Sequence, residues 1–360
     1  MKYWRRIGAA VVTVAALLLS TACGSGVKID EDGTITLRIA HYMPNAHYLV
    51  KNGIEVWMDE VQKRTDGQVE FEYYPAGQLV SAEEMLSSVQ SGVVHVGAFV
   101  PASSASAELP LTDVLTVPGF PASSTQVVYD AYWDVLQNEL YELEWKEAGI
   151  RPALSMVTGR YQFLINDEPR HGLQDWAGHT IRSVGGAMDF VIQEFGSASV
   201  NIPGPEEYEA LQRGLIDSAA NTLESLVPYR FNEVITTATT NMPIGASLSV
   251  MAVNQEVYDE LPVNVQQAMD EASEVAMKSA AAATTAQLTT GVEETKDGVA
   301  FYELTDQELA DLQPALTRAR ERWIEQRENN GDPGQQVVDA WQKALEEAEV
   351  KAGTTPVGTR

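Results

Sequence analysis

The spacing of hydrophobic and polar positions changes several times along this chain, and each change marks an element. Thr34 to Ala40 alternates, with Ile35, Leu37 and Ile39 on one side, and predicts a first strand. From Tyr48 to Thr65 the spacing becomes helical, through Val50, Ile54, Val56, Trp57 and Val61. Asp66-Gly67 is a turn, and Val69 to Tyr74 a second strand. Ser81 to Ser91 reads as a helix stopped by Gly92, and Val93 to Val100 as a buried strand. Strand–helix–strand–helix–strand order predicts an α/β fold with mostly parallel pairing.

Further on, Pro101 to Thr125 is loop-rich. Ser124 to Ala148 has core spacing for a helix at Tyr129, Trp133, Leu136 and Leu140. A strand over Ile150 to Thr158 continues in extended form to Ile165, and Gly159 marks a crossover into a second lobe. That lobe carries strands at His179 to Ser183 and Ile216 to Ala220, separated by a helix over Glu206 to Gly214. Pro228 to Val234 is helical, and Thr236 to Thr240 is polar and β-branched. Ser247 to Asn254 is a strand returning to the first lobe. Val263 to Thr295 lacks proline and is rich in Ala, Glu, Gln and Met. As one helix it spans roughly 50 Å, enough to brace both lobes; the alternative is two helices broken near Thr289-Thr290-Gly291. Val299 to Leu304 is a short strand, and helices start at Thr305 and Gln335. The expected architecture is a two-lobed, periplasmic-binding-protein-like α/β fold. Residues 34–158 belong to lobe I and 159–246 to lobe II. Residues 247–360 supply the return strand, the long helix and C-terminal helices shared between the lobes.

The N-terminus changes the picture of where the chain works. Lys2, Arg5 and Arg6 precede an apolar run from Ile7 to Leu19, shorter than the ~20 residues that span a bilayer. Small residues follow, so 1–22 reads as a signal peptide and 23–33 as a polar tether. Leu19-Ser20-Thr21-Ala22-Cys23 resembles a lipobox, which implies a lipid-anchored Cys23 at the outer face of the cytoplasmic membrane. The alternative is ordinary cleavage near Ala22 and a periplasmic chain with a free thiol. Cys23 is the sole cysteine, which excludes an internal disulfide framework. The chain has 24 Lys and Arg against 51 Asp and Glu, a net charge of −27, which argues against nucleic acid as a partner.

The sequence holds no HExxH, GxSxG, P-loop or CxxC, and its five histidines have no metal-ligand spacing. No cofactor, metal or catalytic activity is expected. Glu206-Glu207 reads as first-turn acids serving a helix dipole. One local contrast matters: between Ile150 and Gly185, Arg151, Arg160, Arg170 and Arg182 outnumber the acids. Arg182, at a strand end before Gly185-Gly186, is placed to capture a carboxylate bidentately; Arg151 and Arg170 read as surface charge balance.

These residues also carry a resemblance. Gln174 to Arg182 (QDWAGHTIR) and Glu207 to Asp217 (EYEALQRGLID) resemble segments of the solute-binding proteins of tripartite ATP-independent periplasmic (TRAP) transporters. So do Thr65-Asp66-Gly67, Pro75-Ala76-Gly77-Gln78-Leu79, Ser91-Gly92-Val93-Val94 and Pro118-Gly119-Phe120-Pro121. The resemblance implies two lobes closing on a small organic acid, which is delivered to TRAP membrane permease subunits. It implies that Arg182 pairs with the ligand carboxylate and Asn221 contacts the ligand. Arg160 is the nearest match to a second ligand arginine, and His41, Asn45, Phe99 and Tyr229 are further candidates for the cleft wall. Ser218 departs from the family's glycine, and Ala219-Ala220 from its polar pair. Arg182→Ala is then expected to remove most binding and leave the fold intact. The rival readings are a receptor of an ATP-driven importer, a ligand-presenting sensor module, and a secreted enzyme.

Overall fold

The computed structural model describes residues 26–354, so the expected signal peptide and Cys23 lie outside the described residues. Twelve strands occur among them: β1 (Lys28–Ile29), β2 (Ile35–His41), β3 (Val69–Tyr74), β4 (Val96–Phe99), β5 (Ile150–Arg160), β6 (Gln162–Ile165), β7 (Thr180–Ser183), β8 (Ala198–Asn201), β9 (Ser218–Asn221), β10 (Thr237–Thr239), β11 (Ala246–Asn254) and β12 (Ala300–Tyr302). They form two six-stranded sheets. One runs β1-β2-β4-β11-β5 with β3 beside β2, and the other runs β12-β10-β6-β9-β7-β8.

The first sheet begins as the alternation requires. Ile35, Leu37 and Ile39 of β2 are fully buried, and β2 pairs in parallel with β3 and β4. β11 is antiparallel to both β4 and β5, so the sheet is mixed. This follows from connectivity: β11 comes back from the second sheet and must run against the strand that left. The chain quits the first sheet at Arg160 and enters the second at Gln162. It returns between Thr239 and Ala246. Two adjacent antiparallel strands therefore join the lobes, held at the crossing by the Ala246–Arg160 pair and by Tyr161 N–H donating to Gly245 O at 2.9 Å. β8 gave no sequence signal because it is a short edge strand with mostly exposed residues and no apolar alternation.

The segment after Pro262 is a single helix, Val263–Thr295, unbroken at Gly291. Its buried positions include Val265, Met269, Ala272, Ala276, Ala280 and Thr284, a stripe at intervals of three and four. Small residues on that stripe let it lie close to β5 and to the helix Glu55–Arg64, where Trp57 Nε1 donates to Ser273 Oγ at 3.2 Å. Gly291 serves a contact, not a break. A Cβ there would stand 2.9 Å from Leu223 O, so the glycine permits a close approach to the second lobe. The helix thus touches both sheets' lobes, at opposite ends.

Candidate ligand-binding site

The loops after β2 and β4 face the ends of β7 and β9 across the space between the two sheets. Open α/β sheets place ligands at such carboxyl ends of strands. A cavity of about 60 Å³ lies there. Lobe I contributes Tyr42, Met43 and His47 from the loop after β2, and Ser103 and Ser104 from the loop after β4. Lobe II contributes Arg182, Asn221 and Tyr229; Tyr161 comes from the crossing. The volume is far below the ~300–1,000 Å³ of typical ligand pockets, because the two lobes stand close together around it. Their close approach depends on Gly185. It has φ of +90°, and a Cβ there would collide with the carbonyl oxygen of Ala102 in the loop after β4.

Arg182 is the penultimate residue of β7, with only 4% of its surface exposed. Its Nε donates to Ile202 O and its Nη1 to Ala220 O, each at 2.8 Å. Nε also lies 3.3 Å from Glu207 Oε2. That same oxygen accepts from Asn221 Nδ2 at 2.7 Å, while Asn221 Oδ1 accepts from Thr222 N–H at 2.7 Å. Burial works against charge on Arg182, but Glu207 and Tyr161 outweigh it and hold the guanidinium pKa above its ordinary value. Burial pushes Glu207 up to about 7, although Arg182 and Asn221 pull the other way. Glu207 Oε1 is buried without a hydrogen-bond partner. The result is a fixed guanidinium whose orientation is set by two carbonyls and one internal carboxylate. It is suited to a second, exogenous carboxylate.

The structure thus brings together three of the residues named from sequence: Arg182, Asn221 and Tyr229. Four others lie elsewhere. His41 is fully buried in the first core, with Nε2 2.7 Å from Tyr73 Oη, and burial lowers its pKa to about 4. Phe99 packs on Trp145 with ring centroids 6.2 Å apart. Asn45 is exposed and absent from the cavity wall. Arg160 is exposed on an outer cleft with Phe120 and Trp341. Successive side chains of an extended segment point to opposite faces, and it is Tyr161 that reaches the cavity.

Glu207 does sit in the first turn of its helix, but not as a solvated acid: it is fully buried and contacts both Arg182 and Asn221. Arg182→Ala is now expected to cost stability as well as binding, because it strips the donors from Ile202 O and Ala220 O and the cation from Glu207. Arg170 is also no surface charge. Only 4% exposed, it donates to Ser218 Oγ at 3.0 Å and lies over Trp176 at 5.2 Å. Tyr42, His47 and Tyr161 were missed, since nothing local distinguishes a cavity tyrosine from a core one.

Two α/β lobes joined by paired crossing strands, with an oriented arginine between them, define a two-lobed extracytoplasmic solute-binding receptor. The chain belongs to the bacterial extracellular solute-binding protein family 7 (DctP), whose profile matches residues 39–326. It is a TRAP-type solute-binding protein, and its family is periplasmic. A solute-binding protein of Albidiferax ferrireducens is 27% identical over 248 residues, covering 64% of this chain and 68% of that one. The C4-dicarboxylate-binding periplasmic protein DctP of Rhodobacter capsulatus is 25% identical over 275 residues, covering 73% and 79%. A crystal structure of a TRAP solute-binding protein from Rhodoferax ferrireducens, in complex with copurified benzoate, superposes with a TM-score of 0.80. It has 21% identity and covers 89% of this chain and 100% of that one. Among the described residues no helix is long and apolar enough to cross a membrane, and no cluster of His, Cys, Asp and Glu is arranged to hold a metal ion.

Proposed function

We propose that the protein captures a small organic carboxylate between its lobes and hands it to the membrane permease of a TRAP transporter. Arg182 and Asn221 are the primary ligand groups, and Cys23 is the lipid anchor. The observation that carries this reading is Arg182 itself. A buried guanidinium, fixed by Ile202 O, Ala220 O and Glu207, opens onto the cavity between the lobes. The relatives support the chemistry, since benzoate and C4-dicarboxylates are both organic acids. A hydrogen bond to such a charged group contributes about 1.5–3 kcal/mol, and exclusion of water on closure strengthens it.

The test is thermal melting against a panel of organic acids and their uncharged amides. An acid at a hundredfold excess over its dissociation constant stabilises the folded state by about 2.7 kcal/mol, and its amide should not. If no acid shifts the transition, or the amides shift it equally, the carboxylate reading is wrong.

A further inference from the structure

Resting on that reading, we infer that the ligand is a monocarboxylate whose body is an apolar ring. The first observation is a count of charges. Arg182 is the one charged side chain on the wall of the cavity. A second cation is missing because of the extended segment at the crossing. The Arg160 side chain has neither hydrogen bond nor ion pair among the described residues, yet it opens onto the outer cleft, and Tyr161 takes the cavity side. Glu207 already offsets part of the Arg182 charge. A dicarboxylate would therefore set its second carboxylate among tyrosines and aliphatic side chains with no cation to meet it, and burying an unpaired charge is costly.

The second observation concerns the polar wall. Its serine hydroxyls are largely committed to the protein. Ser104 Oγ donates to Val100 O at 2.9 Å, Ser103 Oγ to the same oxygen at 3.4 Å, and Ser249 Oγ to Phe99 O at 3.2 Å. These three hydroxyls spend their donor hydrogen on the protein and offer a ligand only acceptor lone pairs. The remaining wall is ring-rich: Tyr42, Tyr161, Tyr229 and His47, the last kept neutral by burial. His47 meets the Tyr229 ring edge-on at 5.4 Å, one of the two arrangements aromatic rings prefer.

Calorimetric titration of the purified protein with benzoate, succinate and acetate as probes tests the inference. Benzoate should bind at least about 100-fold more tightly than succinate, the ratio expected when a second carboxylate is left unpaired. It should also bind at least about tenfold more tightly than acetate, which lacks the ring. Arg160→Ala should shift benzoate affinity by less than about twofold. Succinate matching benzoate overturns the monocarboxylate assignment while leaving the carboxylate reading standing. Acetate matching benzoate overturns the ring. A tenfold loss in Arg160→Ala shows a second cation reaching the ligand and overturns the charge count. Failure of all three acids while another acid of the melting panel binds overturns this inference alone; failure of every acid overturns the underlying reading.

Discussion

Replacing Arg182 with alanine should destabilise the fold, and the cost should depend on pH. The perturbation removes the cation 3.3 Å from Glu207 and the donors serving Ile202 O and Ala220 O. At an effective dielectric of about 20, a charge pair at that separation interacts by about 5 kcal/mol. Breaking a buried pair by deleting one partner typically costs about 3–5 kcal/mol. For a chain of this size, about 1 kcal/mol corresponds to roughly 1.5 °C in the melting midpoint, so a drop of about 4–7 °C is expected at pH 8. Glu207 sets the pH dependence. Its folded-state pKa is raised to about 7 from an ordinary 4.5. The stability it contributes is fully present below the unfolded value and is lost as pH rises through the folded one. Removing Arg182 removes the main force opposing that rise. At pH 5 the variant keeps Glu207 neutral and should lose about half as much or less; what remains is the cost of the two orphaned carbonyls. Calorimetric melts of the wild type and variant at pH 5 and pH 8 read this directly. Arg182→Ala combined with Glu207→Gln should recover at least about 1 kcal/mol at pH 8, as coupled neighbours do. A midpoint drop identical at both pH values, with no recovery in the double variant, would refute the idea that Glu207 is the partner at risk.

Two further outcomes follow from the same geometry. A ligand carboxylate beside Arg182 favours the protonated form of Glu207, so binding takes up a proton and affinity should weaken as pH rises from 6 to 8. Glu207→Gln should flatten that slope, and calorimetry in two buffers of different ionisation enthalpy detects the proton; a pH-independent wild type counts against it. Gly185→Ala should prop the lobes apart through the Ala102 carbonyl oxygen and weaken ligand binding at least about tenfold with secondary structure retained. Small-angle scattering should then show no compaction on ligand addition, and normal compaction would contradict the contact.

The parts legible in the sequence were those written in local periodicity. Strands β2, β3 and β4, the 33-residue helix and the arginine near the end of β7 all announce themselves over a few turns or alternations. Asn221 was named through the resemblance of the Glu207–Asp217 segment to the TRAP family, and it lines the cavity. What escaped was decided by single-residue phase or by contacts far apart in the chain. Arg160 and Tyr161 are neighbours, yet only one faces the cavity, and no apolar pattern at Gly159-Arg160-Tyr161-Gln162 says which. Glu207 follows proline in the first turn of a helix, where an acid is ordinarily a solvated dipole partner. Its burial comes from Arg182, 25 positions earlier, so sequence grammar at the helix start carries no trace of it. His41 failed in the opposite direction. A histidine at a strand end resembles a site residue until Tyr73 is seen beside it.

The Val263–Thr295 helix also constrains how this chain can vary. It is gripped near one end by Trp57 and at the other by Leu223, whose carbonyl needs the bare face of Gly291. Each residue of an α-helix advances its phase by about 100°. One residue inserted between Ala281 and Gly291 would swing that bare face away from Leu223 and present a side chain to its carbonyl oxygen. Surface loops of the two lobes can lengthen or shorten without penalty of this kind. Between its two grips the helix tolerates substitution on its exposed face but not a change of count, and its length is quantised by rotation rather than by reach.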